Sequence, residues 1–129
     1  MRISISKHIY KTLTENADVL KAVGRKIYPI ATKSEVKFPF IVYERENITS
    51  QYNKNAGVSA FVDVSVYVLA ETYGESENIA EMVIKALDRK GGDYEGFEVV
   101  TATLTNVPES YIGNTYVQQV QFRFIIKEK

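Results

Sequence analysis

The sequence predicts an α+β fold, a largely antiparallel four-stranded sheet with helices packed on one face, in the order α-α-β-β-α-β-β. Three observations lead there. Residues 60–68 alternate strictly, with Ala60, Val62, Val64, Val66 and Val68 on one side and Phe61, Asp63, Ser65 and Tyr67 on the other. Residues 74–90 carry Ile79, Val83 and Leu87 at helical spacing, with Glu77, Glu81, Lys85 and Arg89 opposite. Nine Tyr and six Phe, without Trp, favour pleated surfaces on which rings pack.

Along the chain, Ile5, Ile9 and Leu13 fall on one face of a first helix. Ser4 or Ser6 is its candidate N-cap, and Asn16 either ends it or caps the next. Val19, Leu20 and Val23 define a short second helix stopped by Gly24. Ile27-Tyr28-Pro29 is expected to open an extended loop, because proline cannot continue a helix and holds its predecessor extended. Residues 30–38 show no period and read as a surface loop. Pro39 precedes a strand over residues 40–45, rich in β-formers. The polar run from Thr49 to Gly57 reads as the loop to the alternating strand. Glu81 and Lys85 are spaced for a favourable pair on the main helix, and Gly91-Gly92 is expected to stop it. Two final strands follow, roughly 97–106 and 116–127, with Gly113-Asn114 as the turn between them.

At 129 residues the chain suits one domain spanning residues 1–129, with no linker or low-complexity segment. Sixteen Lys and Arg balance sixteen Asp and Glu. A binder of nucleic-acid phosphates usually carries a positive excess, so specific nucleic-acid binding is not expected. The absence of cysteine excludes disulfides, thiolate metal sites and cysteine nucleophiles together. The start, Met1-Arg2-Ile3-Ser4, lacks a signal-peptide core, and no apolar run approaches the ~18 residues of a membrane span. The sequence alone therefore points to the cytoplasm.

Chemistry is sparse. His8 is the one histidine; a general base there has no partner motif, and a structural role fits better. Asp63 is unusual within a valine-rich strand. It is either half of an acid–base pair or, more simply, the partner of a cross-strand cation such as Arg123. Glu44-Arg45-Glu46 reads as a solvated strand end. Arg89-Lys90-Gly91-Gly92-Asp93 follows a helix, whereas a phosphate cradle precedes one. No catalytic, cofactor-binding or metal-binding residue is assigned, no cofactor is expected, and the chain reads as a non-enzyme.

Binding surfaces remain. The segment from Ile48 to Gly57, above all Gln51, Tyr52, Asn53, Lys54 and Asn55, is the candidate partner-contact loop, since loops projecting from a sheet often carry function. The loop from Ala31 to Lys37, free sheet edges and the polar face with Ser59, Ser65, Gln119 and Gln121 are further candidates.

A series of short motifs runs through Leu20-Lys21-Ala22-Val23-Gly24, Ile27-Tyr28-Pro29 and Phe38-Pro39-Phe40-Ile41-Val42-Tyr43. Val62 to Tyr67, Tyr73-Gly74-Glu75-Ser76, the helix from Ile79 to Leu87, and Phe122 with Phe124 continue it. Their order is similar to that of the tail-completion, or tail-terminator, family of long-tailed bacteriophages, the first three resembling its N-terminal half. The resemblance implies a small α+β subunit forming a ring, a homo-hexamer, at the head-proximal end of a phage or prophage tail. Its partners would be the tail tube protein and the head connector, its place the virion, and its assembly site the host cytoplasm. Each motif also has a purely structural explanation, so a head–tail connector or another minor tail component remains an alternative. A second alternative is a nucleic-acid-binding α+β domain using Phe61, Tyr67 and Arg123. A small hydrolase or transferase comes third, without a nucleophile to name.

Overall fold

The computed structural model describes residues 4–32, 35–53 and 57–129, with only the backbone for residues 52–53 and 57–58. Two helices open the chain, α1 (Ile5–Glu15) and α2 (Ala17–Val23). Asn16 serves both: it closes α1, and its side chain accepts a hydrogen bond from the Val19 amide to cap α2. Ser4 occupies the N-cap of α1 without a side-chain capping bond. Gly24, at φ 64°, stops α2 in a conformation that L side chains rarely adopt.

Among the described residues the sheet is mixed and has seven strands, not four. Strand β1 (Ile27–Pro29) pairs parallel with β2 (Phe40–Asn53), which pairs antiparallel with β3 (Gly57–Ala70). After α3 (Tyr73–Leu87) come β4 (Gly92–Tyr94), β5 (Phe97–Asn106), β6 (Glu109–Ile112) and β7 (Thr115–Glu128). Their order is β1-β2-β3-β7-β5-β4, and β6 adds to β7 beyond the end of β5. The chain thus reads α-α-β-β-β-α-β-β-β-β.

Three of the seven strands were hidden by length. Ile27-Tyr28-Pro29 is a strand rather than the start of a loop, because its backbone completes hydrogen bonds that β2 would otherwise leave open. Residues 49–53 are likewise strand: Thr49 faces Phe61 and Gln51 faces Ser59, so β3 pulls a polar stretch into its ladder. Gly91-Gly92 does not end α3. Asp88 is the C-cap, Arg89 takes the positive φ of 59°, and Gly92 already belongs to β4. Gly113 and Asn114, at φ 55° and 64°, do form a two-residue hairpin turn, but between β6 and β7.

The core lies between the helices and one sheet face. Val62, Val64, Val66 and Val68 of β3 are buried with Val120, Phe122, Phe124 and Ile126 of β7, under Ile79, Val83 and Leu87 of α3. Ile5, Ile9 and Leu13 of α1 complete this layer. At roughly 1.5–3 kcal/mol per buried side chain, this apolar layer holds the helices on the sheet. Among the described residues no helix covers the opposite sheet face. Register shifts at Glu46, Val100 and Thr105 mark bulges that increase local twist.

Candidate functional site and assembly surfaces

Each of the three chemical candidates in the sequence has a structural partner. His8 is buried between helix and sheet, where its Nδ1 lies 2.7 Å from the Tyr94 hydroxyl. Its ring meets Tyr94 and Phe124 edge-on. Burial, reinforced by the charge of Lys11, lowers its pKa from 6.5 to about 4. Nε2 is buried without a hydrogen-bond partner among the described residues. Asp63 faces Arg123 across β3 and β7 and pairs with it, the simpler of the two readings of that residue. Gly91 is needed for close approach: a Cβ there would lie 2.2 Å from the Val99 carbonyl oxygen. Among the described residues no group of three or more His, Asp and Glu could hold a metal ion. Nor is any helix among them long and apolar enough to cross a membrane.

The open sheet face carries a polar network. Ser65 donates to Glu46, and the Tyr67 hydroxyl donates to Glu44 at 2.9 Å. Gln119 Nε2 donates to Ser65 Oγ at 3.0 Å and to the Tyr67 hydroxyl at 3.3 Å. Burial, then the hydrogen bond to Glu44, raises the pKa of Tyr67, as expected for a phenol that keeps its proton. Arg123 lies over the Phe61 ring with its charge held by Asp63. With Glu44 and Glu46 beside Tyr67 and Ser65, and Arg123 already paired with Asp63, this face offers phosphates little attraction, which weighs against the RNA-recognition alternative.

Of the contact loop, Gln51 is an exposed residue of β2. Tyr52 and Asn53 continue that strand opposite Val58 and Gly57. Lys54 and Asn55 lie outside the described residues. The expected ten-residue loop is therefore a long hairpin arm, with only residues 54–56 between its strands.

Sequence reading missed the end of the sheet where β1 and β6 lie. Ile27 of β1 pairs with Ile41, Ile41 with Val68, Val68 with Gln118, and Gln118 with Glu109 of β6. β1 and β6 are thus the two ends of one row across five strands, and the four gaps span about 19 Å at the usual strand spacing. A groove of about 520 Å³ runs over this end of the open face, lined by Val42, Tyr67, Leu69 and Val117 between Ile30 and Ile112. Ile30 is 75% exposed and Ile112 68%, the two most exposed large apolar side chains among the described residues.

Ile30 stands out for its backbone as well. Its φ is 65°, and the Ala31 amide bonds back to the Pro29 carbonyl at 2.7 Å, closing a tight three-residue turn around it. A β-branched residue rarely takes this conformation, which costs roughly 1–2 kcal/mol. Its amide bonds to the Tyr43 carbonyl at 2.8 Å, anchoring the turn to β2. The only positional hint in the sequence was Pro29, which limits β1 without revealing the turn that follows.

Taken together, the fold defines a small α+β subunit with polar strand networks, a long hairpin arm and exposed apolar edges, the features of an assembly component. The family described as "Tail completion protein gp17" matches residues 7–127, and the chain belongs to it. It is accordingly a structural protein of a phage tail. A chain of a solved structure titled "Virion of native gene transfer agent (GTA) particle" has the same fold, with a TM-score of 0.79 at 16% identity. That similarity covers 92% of this chain and 91% of the other. No curated protein matches it in sequence.

Proposed function

We propose that this protein, acting as one domain, forms a ring at the head-proximal end of the tail, where it ends tube growth and provides the surface that joins the head connector. It does so without catalysis, by shape and contact alone. The observation that carries the reading is the tail-completion family match over residues 7–127. The shared fold with a chain of a gene transfer agent particle supports a place in the virion, after assembly in the host cytoplasm. The ring is a homo-hexamer, and its other partners are the tail tube protein and the connector. The hairpin arm ending near Gln51 to Asn55 contacts the tube or a neighbouring subunit.

The test is to inactivate the gene and examine the particles by electron microscopy. Loss of a tail-completion ring gives overlong or unjoined tails beside filled heads. Normal tails joined to heads would overturn the reading, and heads that leak DNA would move the protein to the connector. Shortening the hairpin arm at residues 53–57 should impair tail length control or joining; unchanged particles would remove that role from the arm.

A further inference from the structure

We infer that the two ends of the β1–β6 row bind each other between copies, the α2–β1 corner of one subunit receiving the β6 edge of the next. This rests on the ring reading above and specifies the surfaces that would build it. Of the seven exposed large apolar side chains among the described residues, five stand at these two places, Tyr10 of α1 and Val100 of β5 being the others. Leu20 and Ile30 stand at the α2–β1 corner, 38% and 75% exposed. At the β6 edge, Tyr111 and Ile112 are 58% and 68% exposed, and Tyr73 beside them is 43% exposed.

Charge sorts the same way. The corner carries exposed Lys21 and Arg25 against the single exposed Asp18 of α2, together with Lys26, whose ammonium donates to a neutral carbonyl, that of Lys37, at 2.9 Å. The β6 edge carries Glu109, which accepts from the Tyr73 hydroxyl at 2.8 Å and from Gln118 at 3.1 Å. Glu77 lies close enough that its charge also acts on Tyr73. A cationic, apolar corner and an acidic, apolar edge are complementary to each other and not to themselves, so the occupant is a second copy bound head-to-tail. Such a contact repeats around a ring, whereas a self-complementary patch ends at a dimer.

Backbone pairing is not what joins them. β1 is three residues long and ends in Pro29, a poor template for an added strand. Side chains carry the contact, and the positive-φ turn is what holds Ile30 outward for it.

The absence of cysteine makes the test direct. Ile30→Cys and Ile112→Cys are made singly and together, and treated with a thiol-specific bismaleimide at protein concentrations on the order of 1 mM, enough to populate weak contacts. The double variant should give a ladder of covalent multimers, and a mixture of the two single variants should give mixed dimers. Either single variant alone should stay monomeric. Crosslinking within one single variant, or no ladder from the double variant, overturns the inference. Glu109→Lys should reduce the ladder at least several-fold, and adding Arg25→Glu should restore it. Failure of that rescue, with unfolding curves like wild type, also counts against this pairing. A ladder together with normal tails in the gene-inactivated particle would leave the interface standing and remove the tail-completion role.

Discussion

Arg123 reaches across from β7 to Asp63 of β3 and donates two hydrogen bonds to its carboxylate, Nε to Oδ1 at 2.9 Å and Nη2 to Oδ2 at 3.1 Å. The two residues are direct register partners on the helix-free face. A charged pair in the middle of a sheet is tolerated because that face stays wet, with the two side chains 46% and 30% exposed.

Exposed charges of this kind are screened by salt. A double-mutant cycle on Asp63→Ala and Arg123→Ala should show a small favourable coupling at low ionic strength that fades as salt is added. A coupling insensitive to salt would mean that the pair is shielded from solvent in the assembled protein.

His8 makes stability depend on pH. Its folded pKa, about 4, lies below the ordinary 6.5, so between these values the unfolded chain binds the proton and the folded chain does not. Stability is complete above pH 6.5 and falls as the solution is acidified towards pH 4, by at most about 3 kcal/mol from this group. Denaturant unfolding across this range should show the slope in wild type and a shallower one in His8→Leu. Equal slopes would place the acid sensitivity in the carboxylates.

Gly91→Ala should destabilise the fold by roughly 1–3 kcal/mol, the usual cost of forcing atoms into a packed region. The obstruction is backbone, the Val99 and Val100 carbonyl oxygens at 2.2 and 2.7 Å from the added Cβ, so no rotamer change relieves it. Gly74→Ala, with nothing within 4 Å of its Cβ, is the control and should unfold like wild type or slightly later. Thermal unfolding of the two variants settles the comparison.

Ile30→Asn should raise monomer stability by up to about 1 kcal/mol, since Asn tolerates positive φ and little burial is lost. The same change should weaken self-association, read by sedimentation velocity over a concentration series. A variant that is more stable and equally associated would mean that the turn does not serve self-association.

The legible parts of this protein were those whose periodicity matches their burial. Val62 to Val68 and Ile79 to Leu87 alternate or repeat in the sequence as they do in the core. The Asp63–Arg123 pair was legible too, because strand alternation places both on a polar face. Residues 49–53 were not, because Thr49, Ser50 and Gln51 bury little and join the sheet only where β3 supplies hydrogen-bond partners. β1 and β6 are too short for any period to show.

By itself the sequence determined an α+β subunit with an apolar helix-facing layer, no cysteine chemistry and a resemblance to tail-completion proteins. Local spacing is enough for that, since burial on one face imposes its period on the residues. Only the tertiary structure decided that β1 joins the sheet in parallel, that Arg89 rather than Gly91-Gly92 takes the turn after α3, and that Ile30 and Ile112 flank one groove. These depend on which strands pair and in what register. Residues 30 and 112 share no local pattern, and only the strand order brings them to the same end of the sheet.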